Sequence, residues 1–300
     1  VDWAPGVTVH HRDELMRVQR DFREIPGTSA IIFDQTCAAE KRRRRRRGQM
    51  QTPDQRLFIN QAVCDGCGDC GTQSNCVALV PAETSLGRKR AIDQSSCNMD
   101  YSCQKGFCPS FVSVIGGEKR HGVADPGLIS LADSLLLEPP PASINSQFSI
   151  VLTGVGGTGV VTIGAILGMA AHISRMGCSV LDMAGLAQKG GAVTSHIILA
   201  SSPCDISATH VADGGADLLL GCDLVTSASP ATRQKLNRDT ICAINTNQMM
   251  SGEFIHMRDQ VFPLDELLAT IQRVTVRGAF RTLAATRLAK AAFGDTISAN

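Results

Sequence analysis

The chain has 300 residues, 43% of them hydrophobic and 19% charged, with a net charge of +1. That length accommodates two domains of ordinary size, and the composition is that of a globular protein. No window reaches the roughly eighteen apolar residues of a membrane helix, because the most apolar stretch, Val160 to Ile173, is broken by Thr162, Gly164, Gly168 and His172, so no membrane partner is expected.

Residues 1–48 read as strand, helix and strand: Val7 to Val9, a helical pattern from Asp13 to Arg23, a Pro26-Gly27 turn, and an apolar run from Ser29 to Phe33. The segment is expected to be the tail of an α/β domain, and the abrupt first residue, Val1, is expected to mark a fragment of a longer protein. Seven of the 29 basic residues form one run, Lys41 to Arg47, so basic character is local and acidic residues prevail elsewhere. With one Trp and one Tyr the chain has no platform for stacking bases, and no nucleic-acid partner is expected.

Between residues 53 and 117 the composition turns to cysteine, glycine and short polar loops, too poor in apolar runs to build a core without a prosthetic group. Seven of the twelve cysteines lie here, a density that favours metal over disulfides and fits a reducing, cytoplasmic setting. The first run is Cys64-x2-Cys67-x2-Cys70-x5-Cys76, and the second is Cys97-x5-Cys103-x4-Cys108 followed by Pro109. In bacterial ferredoxins such a run gives three thiolates to one cluster while its last cysteine reaches the other. Cys64, Cys67, Cys70 and Cys108 are therefore expected to hold one 4Fe-4S cluster. Cys76, Cys97 and Cys103 are expected to hold a second, with Asp100 at the position of the missing middle cysteine, as a 4Fe-4S cluster with a carboxylate ligand or as a 3Fe-4S cluster. Zinc, which also uses Cys-x2-Cys pairs, is the alternative. No repeat is evident beyond the cysteine runs. Cys37, Cys178, Cys204, Cys222 and Cys242 stand apart and read as small buried residues.

Residues 118–147 read as a linker with a Pro139-Pro140-Pro141 spacer and one apolar turn, Leu128 to Leu137. Residues 148–300 read as a Rossmann-like α/β domain. It opens on a βαβ unit of strand 148–153, glycine loop, helix 160–175 and strand 179–183. Strands 195–200, 218–222 and 240–245 and helices 229–236, 264–273 and 283–293 follow. The loop Gly154-x-Gly156-Gly157-Thr158-Gly159, trailed by Asp182 at the end of the next strand, matches the dinucleotide fingerprint: backbone amides for a pyrophosphate and an acid for a ribose hydroxyl. A glycine loop that only packs strand on helix has the same look. Gly185 to His196 forms a second glycine motif with Lys189, and His196 reads as structural.

Three long motifs carry a more specific resemblance. Asp34-Gln-Thr-Cys-Ala-Ala-Glu-Lys-Arg-Arg, the block from Cys97 to Phe111, and the glycine loop with Gly185-Leu-Ala-Gln-Lys-Gly-Gly-Ala-Val resemble indolepyruvate:ferredoxin oxidoreductase and the fused 2-oxoacid:ferredoxin oxidoreductases. The resemblance implies an enzyme that decarboxylates a 2-oxoacid on thiamine diphosphate and Mg2+, passes electrons through iron–sulfur clusters to ferredoxin, and releases an acyl-CoA. It also implies that residues 1–48 end the thiamine domain, that 53–117 are a ferredoxin-like insert and 148–300 the gamma domain, and that the enzyme is a cytoplasmic homo-oligomer. It assigns the glycine loop no nicotinamide role. The Gly-Asp-Gly type motif that holds thiamine and Mg2+ in that family is absent from these residues, so this stretch alone is expected to bind neither and to supply no catalytic acid, base or nucleophile. The competing readings are a flavin- or NAD-linked iron–sulfur subunit and a zinc-containing nucleic-acid-binding module.

Overall fold

A computed structural model describes residues 3–36, 38–94, 96–117, 122–135, 144, 147–185, 191–250, 257 and 259–294. Cys37, the triple proline and Lys189 lie outside them. The chain divides into two compact units, Val1–Thr52 and Pro53–Asn300.

In the first unit, α1 (Leu15–Arg23) is amphipathic and buries Val18, and α2 (Ala38–Arg46) contains most of the basic run. Glu40 pairs with Arg43 at 3.3 Å and Arg44 at 3.0 Å, one turn away on the same face. Residues 7–9 and 29–33, expected as strands, form none, and Ile32 is 80% exposed. An apolar run becomes a strand only when another strand takes its backbone groups, and here none does.

The second unit begins with a four-stranded module. β1 (Gln55–Ile59) pairs antiparallel with β4 (Phe111–Ile115), and β2 (Leu79–Thr84) with β3 (Gly87–Ile92). A short helix, α3 (Asp69–Ser74), follows the first cysteine loop, and a 3-10 turn, Ser102–Gln104, follows the second. The module repeats itself at an offset of 33 residues, which the sequence pattern outside the cysteines conceals. The Cys64 amide donates to the Asn60 carbonyl and the Cys97 amide to the Asp93 carbonyl, both at 3.0 Å. Gly66 and Gly68 take positive φ (72° and 83°), and so do Met99 and Tyr101 (54° and 60°). Two different sequences adopt one loop, and the non-glycine members accept a left-handed backbone to do so.

After α4 (Pro126–Leu135) comes a six-stranded sheet in the order β10-β9-β8-β5-β7-β6. Its strands are β5 (Gln147–Val155), β6 (Gly177–Ala184), β7 (Ala192–Ala200), β8 (Ala216–Gly221), β9 (Leu236–Asn245) and β10 (Phe280–Leu283). Helices α5 (Val160–Ile173), α6 (Leu224–Ser227), α7 (Pro230–Lys235), α8 (Leu264–Gln272) and α9 (Ala285–Phe293) complete it. The fold is α/β. The expected βαβ unit differs in one respect: β7 runs antiparallel between β5 and β6, so the two strands that α5 joins are not neighbours. β7 is buried along both faces, and its buried polar residues Ser195 and His196 are hydrogen-bonded to Asp182 and to the Val211 amide. One face packs Val151, Leu219, Leu224, Ile244 and Ile271; the other packs Ile150, Leu152, Val160 and Ile197. Residues 280–283 form β10 beside β9, so Leu283, expected to begin a helix, ends a strand and the helix starts at Ala285. No helix among the described residues is long and apolar enough to cross a membrane.

Candidate functional site

The module's small core consists of Ile59, Cys64, Cys70 and Leu79, with Cys76, Ile92, Cys103 and Phe111 packed against it. Half of these eight residues are cysteines, and none of the described cysteines is in a disulfide. The thiols therefore occupy the place that aliphatic side chains hold in an ordinary core.

Burial and neighbouring cysteines raise the pKa of the innermost thiols. Burial pushes the Cys70 thiol up to about 11, with Cys64 and Cys108 the neighbouring cysteines that add to the rise. Burial pushes Cys103 up to about 12, with Cys76, Cys97 and, less, Cys70 adding to it. Gly106, two residues before Cys108, lies against the Asp69 carboxylate, beside Cys70, leaving no room there for a Cβ. In each loop the amide two residues on donates to the first sulfur, Gly66 to Cys64 at 3.3 Å and Met99 to Cys97 at 3.4 Å. Such amide–sulfur bonds stabilise thiolate over thiol, which suits a metal-bound sulfur. Cys67 and Asp100 occupy equivalent positions at the offset of 33 and are both exposed. Asp100 accepts from the Ser102 amide (3.3 Å) and hydroxyl (3.0 Å) through one oxygen.

Among the described residues no three His, Cys, Asp or Glu side chains gather tightly enough to hold a metal ion. The donor chemistry is compatible with a prosthetic group: thiols gathered in one small core are soft donors that would become thiolate ligands beside a bound cation.

The glycine loop lies at the carboxyl edge of β5. Gly154 packs so closely on Val160 that a Cβ would clash. Gly157 and Gly159 take φ of 87° and 100°, and Gly159 starts α5 without a side-chain cap. The Gly156 amide donates to the Gly191 carbonyl at 2.7 Å, and the Thr158 hydroxyl turns back to the Val155 carbonyl at 2.7 Å. A cavity of about 520 Å³ opens on the loop, lined by Val155 to Ile163 with Ile166 and Val193. Asp182 does not join the loop. It lies on β6 with β7 between it and β5, facing Gly164 within α5, and accepts a hydrogen bond from the Ser195 hydroxyl. The inserted antiparallel strand removes the acid from the place that a ribose hydroxyl would need.

Sequence reasoning passed over two buried polar groups. Arg90, on β3, is 4% exposed in the cysteine module. Asp223 caps α6 at the end of β8, taking the Thr226 amide at 2.7 Å and hydroxyl at 2.8 Å, while that hydroxyl also reaches the Gly154 carbonyl. A charged residue inside an alternating strand, and an Asp followed by a short helix, were the available signals. His196 is buried, as read, and its Nδ1 accepts the Val211 amide at 3.0 Å. Burial, then His210 and Lys235, lower its pKa to about 4, so it stands neutral.

Comparison with known proteins assigns residues 149–300 to a family. The chain is 28% identical over 131 residues to indolepyruvate oxidoreductase subunit IorB of Archaeoglobus fulgidus, covering 44% of this chain and 62% of that protein. It is 26% identical over 126 residues to the subunit of the same name from Methanothermobacter thermautotrophicus, covering 42% and 61%. The chain thus spans about three fifths of the length of these curated relatives. Among solved structures it is similar to pyruvate oxidoreductase subunit PORC of Thermotoga maritima (18% identity, 52% of this chain and 71% of that one, TM-score 0.36). It is also similar to 2-oxoglutarate:ferredoxin oxidoreductase of Magnetococcus marinus (12% identity, 49% and 21%, TM-score 0.34). Residues 149–300, half of the chain, match the family model described as pyruvate ferredoxin/flavodoxin oxidoreductase. With its α/β sheet and glycine loop in that region, the chain belongs to the pyruvate ferredoxin/flavodoxin oxidoreductase family.

Proposed function

We propose that this chain is the electron-relay and gamma portion of a cytoplasmic 2-oxoacid:ferredoxin oxidoreductase, with indolepyruvate or a related arylpyruvate as the 2-oxoacid. Cys64, Cys67, Cys70 and Cys108 hold one 4Fe-4S cluster. Cys76, Cys97, Cys103 and Asp100 hold a second site, whose oxygen corner makes it the weaker. When bound, such clusters accept and release single electrons. The chain's own residues exclude water from the inner sulfurs and direct the Gly66 and Met99 amides at them. The family match and the two curated relatives support the reaction class. Thiamine diphosphate, Mg2+, CoA, ferredoxin and a homo-oligomeric assembly belong to the complete enzyme on this reading.

The observation that carries the proposal is the pair of equivalent cysteine loops at an offset of 33 residues, with Cys64, Cys70, Cys76 and Cys103 gathered in one small core. Anaerobic purification with assay of iron and acid-labile sulfide tests it. A brown protein with sulfide in proportion to iron is expected; a colourless protein holding zinc would sink it. For the reaction, the chain supplied with its thiamine-bearing counterpart should reduce ferredoxin on addition of indolepyruvate and CoA. NADH-dependent bleaching, or release of a flavin on denaturation, would favour a dinucleotide at the Gly154 to Gly159 loop instead.

A further inference from the structure

The two halves of the cysteine module are built alike but charged differently. At the offset of 33, Ile59 of β1 corresponds to Ile92 of β3, and both face the small core. The preceding inward position is Leu57 in β1, 3% exposed, and Arg90 in β3, 4% exposed. An arginine is rarely buried this deeply, because its charge loses hydration that only other charges and hydrogen bonds restore.

The surroundings show which cysteines Arg90 serves. The loop from Cys64 to Cys70 lies directly on β3, where Gly66 leaves no space for a Cβ against the Arg88 carbonyl. The ionisable groups nearest Arg90 are Cys70 and Cys64, with Arg88 and Asp259 beside them. On the other side of the module the equivalent residue, Leu57, brings no charge, and the ligand position there is the carboxylate Asp100.

We propose that Arg90 is a positioning charge that raises the reduction potential of the cluster held by Cys64, Cys67, Cys70 and Cys108, making the two structurally alike sites electrically unlike. The inference rests on the cluster reading above. Adding one electron makes a thiolate-bound cluster more negative without forming or breaking a bond. A fixed positive charge in a poorly hydrated interior favours that reduced state, and its effect decays with distance and so falls mainly on the nearer site.

The test is a dye-mediated titration of the anaerobic full-length chain with dithionite, followed by electron paramagnetic resonance, after iron and sulfide have been counted. A chain that takes up no iron or sulfide refutes the cluster reading itself. With both clusters present, Arg90→Met should lower the reduced-to-oxidised ratio of the first cluster about tenfold at fixed potential, a shift of about 59 mV for one electron. The second cluster should move less, and Arg90→Lys should keep most of the native value. Asp259→Asn, an exposed change that removes a carboxylate opposing Arg90, should raise the same potential and remains available if Arg90→Met does not load. The proposal is overturned if Arg90→Met and Arg90→Lys shift the potential equally. It is equally overturned if the first cluster's potential stays fixed in Arg90→Met, or, where that variant does not load, in Asp259→Asn.

Discussion

The cysteine module and the six-stranded domain lie within one compact unit yet have opposite kinds of core. In the sheet, Val151, Leu219, Ile244 and Ile271 are wholly buried aliphatic or branched side chains packed across several elements. In the module, half of the packed cluster is sulfur. The first core is closed mainly by burial of aliphatic side chains, with its buried polar groups hydrogen-bonded to one another and to the backbone. The second is completed by whatever its thiols bind, so two neighbouring regions should respond to different insults.

The largest expected effect is on the module. Removing iron with a chelator from the full chain should open residues 53–117 to protease while the sheet stays resistant, because metal-binding free energy is folding free energy for such domains. Equal resistance of both regions after iron removal would erase the contrast. The reverse insult is Leu219→Ala, which leaves a cavity at a fully buried position and should cost about 2–5 kcal/mol in denaturant unfolding of the sheet, with cluster content unchanged.

Acid should weaken the sheet through one buried group. Folding lowers the His196 pKa from 6.5 to about 4, so between those values the unfolded chain takes a proton that the folded chain refuses. Stability from this group is full above pH 6.5 and declines as pH falls to about 4, by up to about 3 kcal/mol, with no further loss below. His196→Gln should flatten that slope in urea midpoints measured across the window.

Within the module, Asp100→Cys should suppress the loss of one iron on mild oxidation, read as disappearance of the three-iron paramagnetic signal, whereas Cys108→Ser should damage the other cluster. An unchanged oxidised spectrum in Asp100→Cys would mean that the carboxylate is not a ligand. The smallest effect is expected in the first unit: Arg43→Gln with Arg44→Gln removes two exposed partners of Glu40 and should barely move the melting temperature. Absence of salt-sensitive duplex binding in the native chain would confirm that the arginine run is not a nucleic-acid site.

What was legible in the residues, and what was not, follows the range of the interactions involved. The cysteine spacing, the α/β pattern after residue 148 and the glycine loop are local signals: a left-handed φ demands glycine at 157 and 159, a strand shows as a run such as Phe148 to Thr153, and three cysteines at two-residue gaps mark one loop. The departures are all matters of partnership. Residues 29–33 look like a strand but have none to pair with, whereas residues 280–283 become one because β9 offers its edge. The insertion of β7 between β5 and β6 cannot be read from periodicity, since an apolar strand looks the same whichever neighbour it takes; it alone moves Asp182 away from the glycine loop. The repeat in the cysteine module was hidden for the opposite reason, because Met99 and Tyr101 hold the backbone that Gly66 and Gly68 hold in the first loop. Chain-local chemistry was thus written in the sequence by itself, down to the thiols and the oxygen at position 100. Only the tertiary structure decided which of those groups meet, and which of two matching sites has a buried Arg90 beside it, because burial and proximity belong to the packed chain and not to any stretch of it.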